Sequence, residues 1–185
     1  MEKTKLRKDL EVEIEIPEGI TVELEDKKVK VSNGKDTNER NFNYNFKMEK
    51  IGNKIKLSAK KSTKKEKKTL MSTRAHIQNM IRGLKEKYVY KLQVCAVHFP
   101  ITTVIDKGEF IIKNFLGEVK PRKFKLKPGV EVKIEKEIIT VQSHNKELAG
   151  QTAADMEIAS KIRNRDRRVF QDGIFITKKP EEDRK

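Results

Sequence analysis

The stretch Lys127-Pro128-Gly129-Val130-Glu131-Val132-Lys133-Ile134-Glu135 decides the fold, because an earlier stretch matches it at an offset of 110 residues. Gly19 aligns with Gly129, and Ile20, Val22 and Leu24 align with Val130, Val132 and Ile134. After a turn, Val29 and Val31 align with Ile139 and Val141, still without a gap. In both copies apolar residues occupy every second position, the period of a half-buried strand. Two such runs joined by a short polar turn make a hairpin. A helical pattern follows each one, over Leu70–Leu84 and over about Lys146–Asn164. The chain is therefore predicted to be α+β: two tandem repeats of a small, mostly antiparallel β-sheet packed with one helix.

Working outward, Val12, Ile14 and Ile16 alternate with glutamates in a first strand, and Ile55 and Leu57 mark another. Phe42, Tyr44 and Phe46 alternate with asparagines. Such a pattern also suits base stacking, but period-two aromatics are read here as the core face of a strand. The first helix places Ile77, Ile81 and Leu84 on one face and Arg74, Gln78, Arg82 and Lys85 on the opposite one, with Ser72 or Thr73 as its cap and Gly83 near its end. Tyr88 to Phe99 reads as a long strand, and Phe110 to Ile112 as the next. In the second helix Ala149, Ala153, Met156, Ala159 and Ile162 form a narrow face suited to lying close on a sheet. The expected domains are 1–86 and 87–179, followed by a charged tail at 180–185.

The chain has 185 residues, 38% of them charged, and a net charge of +15. Residues 60–74, 113–127 and 160–179 carry +6, +5 and +5, so the remainder of the chain is nearly neutral. A charge excess gathered into patches is the footprint of a polyanion partner. The single Cys95 excludes an internal disulfide framework and fits a reducing compartment. No apolar run approaches the ~18 residues that a membrane span needs, and no apolar signal segment follows Met1-Glu2-Lys3-Thr4-Lys5. The expectation is a soluble, intracellular protein.

Arg163, Arg165, Arg167 and Arg168 fall within six residues, with Asp166 as the only acid among them. The segment reads as a helix end, a sharp turn at Asp172-Gly173, and a short strand followed by Lys178 and Lys179. One Arg pair at a helix end would suit the helix dipole. Four arginines exceed that need, and the guanidinium fork fits phosphate. A second cationic segment is a Gly- and Pro-shaped loop with Lys113, Lys120, Arg122, Lys123 and Lys125. Asn114, Phe115 and His144 are candidates for contacting sugar or base. Lys60, Lys61, Lys64, Lys65, Lys67, Lys68 and Arg74 form a second candidate surface; Lys60 to Lys68 reads as a solvated loop, and Arg74 lies on the first helix.

Two motifs carry a resemblance. Arg168-Val169-Phe170-Gln171-Asp172-Gly173-Ile174-Phe175-Ile176, ending in Lys178-Lys179, resembles the C-terminal signature of the universal ribosomal protein L-six family in its archaeal and eukaryotic form. Asn114-Phe115-Leu116-Gly117 with Pro121-Arg122 resembles the same family. Phe175 departs from the usual Tyr, and Ile158 from the usual Gln. The resemblance, nearest the archaeal form, implies a tandem pair of α+β domains, in agreement with the repeat. It also implies a structural constituent of the large ribosomal subunit that binds large-subunit ribosomal RNA near the sarcin–ricin loop and factor-binding region. Neighbouring ribosomal proteins and nearby translational GTPases would be its partners, in cytoplasmic ribosomes, with no homo-oligomer expected. The other reading is a free-standing RNA-binding or RNA-chaperone protein.

The residues point to no catalysis and no cofactor. No phosphate-binding Gly loop is present. Cys95 and His98 have metal-like spacing, but no second pair completes a zinc set. Ser143-His144 has no identifiable partner acid. The acids Asp155, Asp166 and Asp172 are scattered, where a metal-dependent nuclease needs them converging.

Overall fold

The computed structural model describes residues 8–25 and 27–180, without the side chains of Lys8 and Lys61. The expected tail beyond Pro180 lies outside the described residues. The chain divides into two compact units, Met1–Glu86 and Lys87–Lys185.

The first unit contains β1 (Lys8–Glu15), β2 (Thr21–Glu25), β3 (Lys28–Ser32), β4 (Thr37–Asn41), β5 (Lys47–Ile51), β6 (Lys54–Ser62) and α1 (Lys64–Lys85). Its strands form two sheets, ordered β1-β6-β5 and β2-β3-β4. The apolar face of α1 closes over strands of both, burying Leu70 and Ile77 with Ile55 and Leu57.

The second unit contains β7 (Tyr88–Cys95), β8 (Thr102–Asp106), β9 (Glu109–Lys113), a single 3-10 turn at Phe115–Gly117, β10 (Arg122–Lys125), β11 (Glu131–Glu135), β12 (Ile138–Ser143), α2 (Lys146–Ala159) and β13 (Gly173–Lys178). The sheets here are β10-β9-β8 and β11-β12-β7-β13. Phe110, Ile112, Phe115 and Ile139 meet Ala149, Ala153 and Met156 of α2 in the core. Gly150 has a steric reason to lack a side chain, since a Cβ there would lie 2.9 Å from the Tyr90 hydroxyl.

The α+β class stands, and every pairing among the described strands is antiparallel. The matched hairpins share a register as well as a sequence. Val22 faces Val31 and Leu24 faces Val29; Val132 faces Val141 and Ile134 faces Ile139. Gly19 and Gly129 both sit at positive φ, +83° and +80°, a conformation in which a Cβ is costly.

Several local expectations change. Each unit carries two sheets rather than one. The Lys60–Lys68 run is not a loop: it ends β6 and begins α1. The cap is Thr63, not Ser72 or Thr73. Its hydroxyl accepts the Glu66 amide at 3.5 Å, and the Glu66 carboxylate accepts the Thr63 amide at 2.6 Å, a capping box. Phe42 and Phe46 are buried, yet residues 42–46 form a connection between β4 and β5 and not a strand. The strand expected to reach Phe99 stops at Cys95.

Thr63→Ala should lower the stability of the first unit by about 1 kcal/mol. A urea titration checks this, with the midpoint shifting while the slope stays fixed.

Candidate nucleic-acid interface

The arginine segment is not a helix end. The helix α2 stops at Ala159 with Ser160 as its C-cap, and residues 161–170 form an irregular but tightly bonded loop. The Asp166 carbonyl accepts the Val169 and Phe170 amides at 3.1 and 2.9 Å. Asp166 Oδ1 accepts the Arg168 amide at 2.9 Å, and its carboxylate pairs with the Arg168 guanidinium at 2.8 Å. Those hydrogen bonds from Arg168 hold the Asp166 carboxyl below the usual carboxylate range. The Arg165 guanidinium lies 4.8 Å above the Phe170 ring, which stacks on His98 at 4.8 Å between centroids.

The predicted turn at Asp172-Gly173 is something else. Asp172, 1% exposed, accepts the Val97 and His98 amides at 2.8 and 3.0 Å and His98 Nδ1 at 2.7 Å. An ionised carboxylate only accepts, so Nδ1 carries the proton. Burial pushes the Asp172 carboxyl up, but the bonds from His98 and Val97 outweigh it and leave the net shift downward. Gly173 opens β13, where a Cβ would lie 2.9 Å from the Phe175 ring. The Asp172–His98 clamp was invisible in the sequence, because its partners are 74 residues apart.

The clamp and the loop bonds fix a scaffold from which Arg163, Arg165 and Arg167 extend, all exposed and none ion-paired among the described residues. Arg168 is committed to Asp166.

The second cationic segment divides. Arg122 braces the unit from within. Its Nε donates to Glu118 Oε2 at 2.8 Å, and its Nη1 donates to the Ala159 and Lys161 carbonyls at 2.9 and 3.0 Å. Its guanidinium lies 4.2 Å from the Phe115 ring centre. The Glu118 carboxyl is held low by the bond from Arg122, with the charge of Arg165 as a smaller contribution, so Arg165 stands close to this brace. Phe115 is 1% exposed and offers no face to a base; it is core. Asn114, exposed and left-handed at φ +57°, spends its side-chain amide on the Pro100 carbonyl at 3.0 Å.

Strand alternation sets the rest. Phe110 and Ile112 of β9 are buried, so Lys113 points from the opposite face. Register puts Lys123 beside Ile111 and Lys125 beside Glu109 on that same outer face. Lys120 is exposed on the loop. His144 is half-buried just before the Asn145 cap of α2, about 20 Å from the arginine loop by helix rise. Lys178 ends β13 opposite Lys91, about 17 Å along that strand from Gly173. Lys179 follows it, exposed. In the first unit Lys60 is exposed on β6, while Lys64, Lys65, Lys67 and Lys68 stand exposed on the opening turns of α1 and Arg74 is half-buried. The Lys61 side chain lies outside the described residues.

A family profile described as "Ribosomal protein L6" matches residues 16–87 and 99–173, one match in each repeat. The curated "Large ribosomal subunit protein uL6" of Sulfurisphaera tokodaii is 41% identical over 169 residues, spanning 90% of this chain and 91% of that one. The uL6 of Methanobrevibacter smithii is 39% identical over 168 residues, 90% of this chain and 94% of the other. That of Methanococcus vannielii is 40% identical over 168 residues, covering 90% and 92%. With both repeats matched and this likeness sustained over nine-tenths of its length, the chain belongs to the ribosomal protein L6 family.

Proposed function

We infer that this protein is a non-catalytic structural constituent of the large ribosomal subunit, working in cytoplasmic ribosomes, and that its second unit grips folded ribosomal RNA by the phosphate backbone. The observation that carries the RNA reading is the braced 161–170 loop with its three unpaired arginines. Guanidinium groups held on a rigid support lose little entropy when they take phosphates. Lys120 on the adjoining loop and Lys113, Lys123 and Lys125 on the outer sheet face extend the charge, with Lys178, Lys179 and His144 more distant. Such contacts fix position, and specificity then comes from the shape of the folded RNA. The family resemblance supports placement near the sarcin–ricin loop and factor-binding region, among other ribosomal proteins and close to where translational GTPases dock.

Filter binding to large-subunit RNA fragments over a salt series tests the loop. Changing Arg163, Arg165 and Arg167 together to Ala should flatten the salt slope by about one unit per lost contact. Arg168→Ala alone should flatten it less, because Asp166 already neutralises that side chain. An unchanged slope in the triple variant would remove the loop from the interface. Sedimentation of the tagged protein away from 50S-type particles would favour a free-standing RNA-binding protein.

A further inference from the structure

One flank of α1 in the first unit is built from residues 64, 67, 71, 74, 78, 82 and 85. Steps of three and four keep these positions on a single face, and the 22 residues of α1 extend it to about 31 Å. Lys64, Lys67, Arg82 and Lys85 are exposed along it. Arg74 and Gln78 are half-buried, and Met71 is 41% exposed. The single acid of α1 is Glu66, which is off this flank and closes the capping box.

These cations are not spent on the fold. The side chains of Arg74, Gln78, Arg82 and Lys85 have no hydrogen-bond or ion-pair partner among the described residues. Arg74 Nε is buried without an acceptor, the one side-chain nitrogen or oxygen in that condition among the described residues. A buried donor left unsatisfied is costly, and an incoming acceptor removes that cost. The four residues line one wall of a cavity of about 570 Å³ whose other wall is the end of β1 and Pro17. Two acids stand on that wall, Glu13, tied to Lys54 at 3.0 Å, and Glu15, whose charge also acts on Lys54; neither lies on the helix. Ile14, Ile16 and Ile81 give the cavity an apolar lining.

We propose that this flank of α1, with Arg74 at its centre, is a second binding site for an RNA sugar–phosphate backbone, separate from the arginine loop of the second unit. The proposal rests on the RNA reading above. A linear row of cations with no acid between them matches a repeating line of phosphates. An acidic protein segment is the competing occupant, and it is less well matched: it has no need of a straight row about 31 Å long.

The test is filter binding of the full-length protein to protein-free large-subunit ribosomal RNA across a salt series. The triple variant Lys67→Gln, Arg82→Gln, Lys85→Gln changes only exposed side chains. Its salt slope should fall by about two to three units, additively with the loss from Arg163, Arg165 and Arg167. Arg74→Gln is the second variant. It should melt no lower than the wild type, since Nε has no bond to lose, yet bind this RNA more weakly. Wild-type slope and affinity in both α1 variants, with binding still impaired by the second-unit variant, would overturn the α1 site and leave the RNA reading intact. Unchanged binding in all of them would overturn both. Capture of polyglutamate by the wild type but not by the α1 triple variant, with RNA binding unaltered, would assign the flank to a protein instead.

Discussion

Replacing Asp172 with alanine should destabilise the second unit by about 3 kcal/mol, because three hydrogen bonds to a buried carboxylate vanish together. For a unit of this size that corresponds to a fall in Tm of roughly 12 °C or more. Asp172→Asn keeps an acceptor but loses the charge, and should cost less than half as much. The two variants also separate by pH. The native carboxyl is held below its ordinary value, so its contribution is fully present above the unfolded pKa of about 3.9 and drains away as pH falls through the lower, folded value. The wild type should therefore lose part of its advantage over Asp172→Asn below about pH 4. Thermal melts at pH 7 and in the acid range measure both effects; equal gaps at the two ends would contradict the assignment of a stabilising charge.

Arg122 should show the second-largest effect. Arg122→Ala removes a fork on Glu118, two bonds to carbonyls at and just past the end of α2 and a ring contact with Phe115. Glu118 is 41% exposed, so that part is discounted for solvent screening. The carbonyl bonds and the cation–π contact still suggest about 2 kcal/mol in total. Arg122→Lys should recover less than half, since an ammonium cannot span the same four acceptors. The RNA salt slope gives the contrast: changing Arg122 should lower stability with the slope unaltered, whereas changing Arg165 should lower the slope with stability nearly unaltered. A slope loss on Arg122→Lys would mean that this side chain meets phosphate after all.

The repeat was legible because alternation and a gap-free match depend on local spacing alone, and the shared hairpin register follows directly from it. The strands β4 and β5 were not. Thr37-Asn38-Glu39-Arg40-Asn41 has no apolar period, and its place is set by pairing with β3. The start of α1 was legible in principle, since Thr63-Lys64-Lys65-Glu66 has capping-box spacing, but the lysine run masked it as a loop. At the candidate interface, sequence identified the cationic segments and missed how they are used. Arg122 has Glu118 four residues before it, but its tie to the end of α2, like the core place of Phe115 and the hold of Asp172 on His98, depends on partners far along the chain.

The strand β7, which opens the second unit, is paired on one side by β12 and on the other by β13, the last element among the described residues. During synthesis the first half has every residue of its own core before the second begins, so it can close cotranslationally. The second half must wait for its final strand to leave the exit tunnel. A premature stop before Gly173 would thus release a finished N-terminal module joined to a C-terminal one with an open sheet edge, a target for chaperones and proteases.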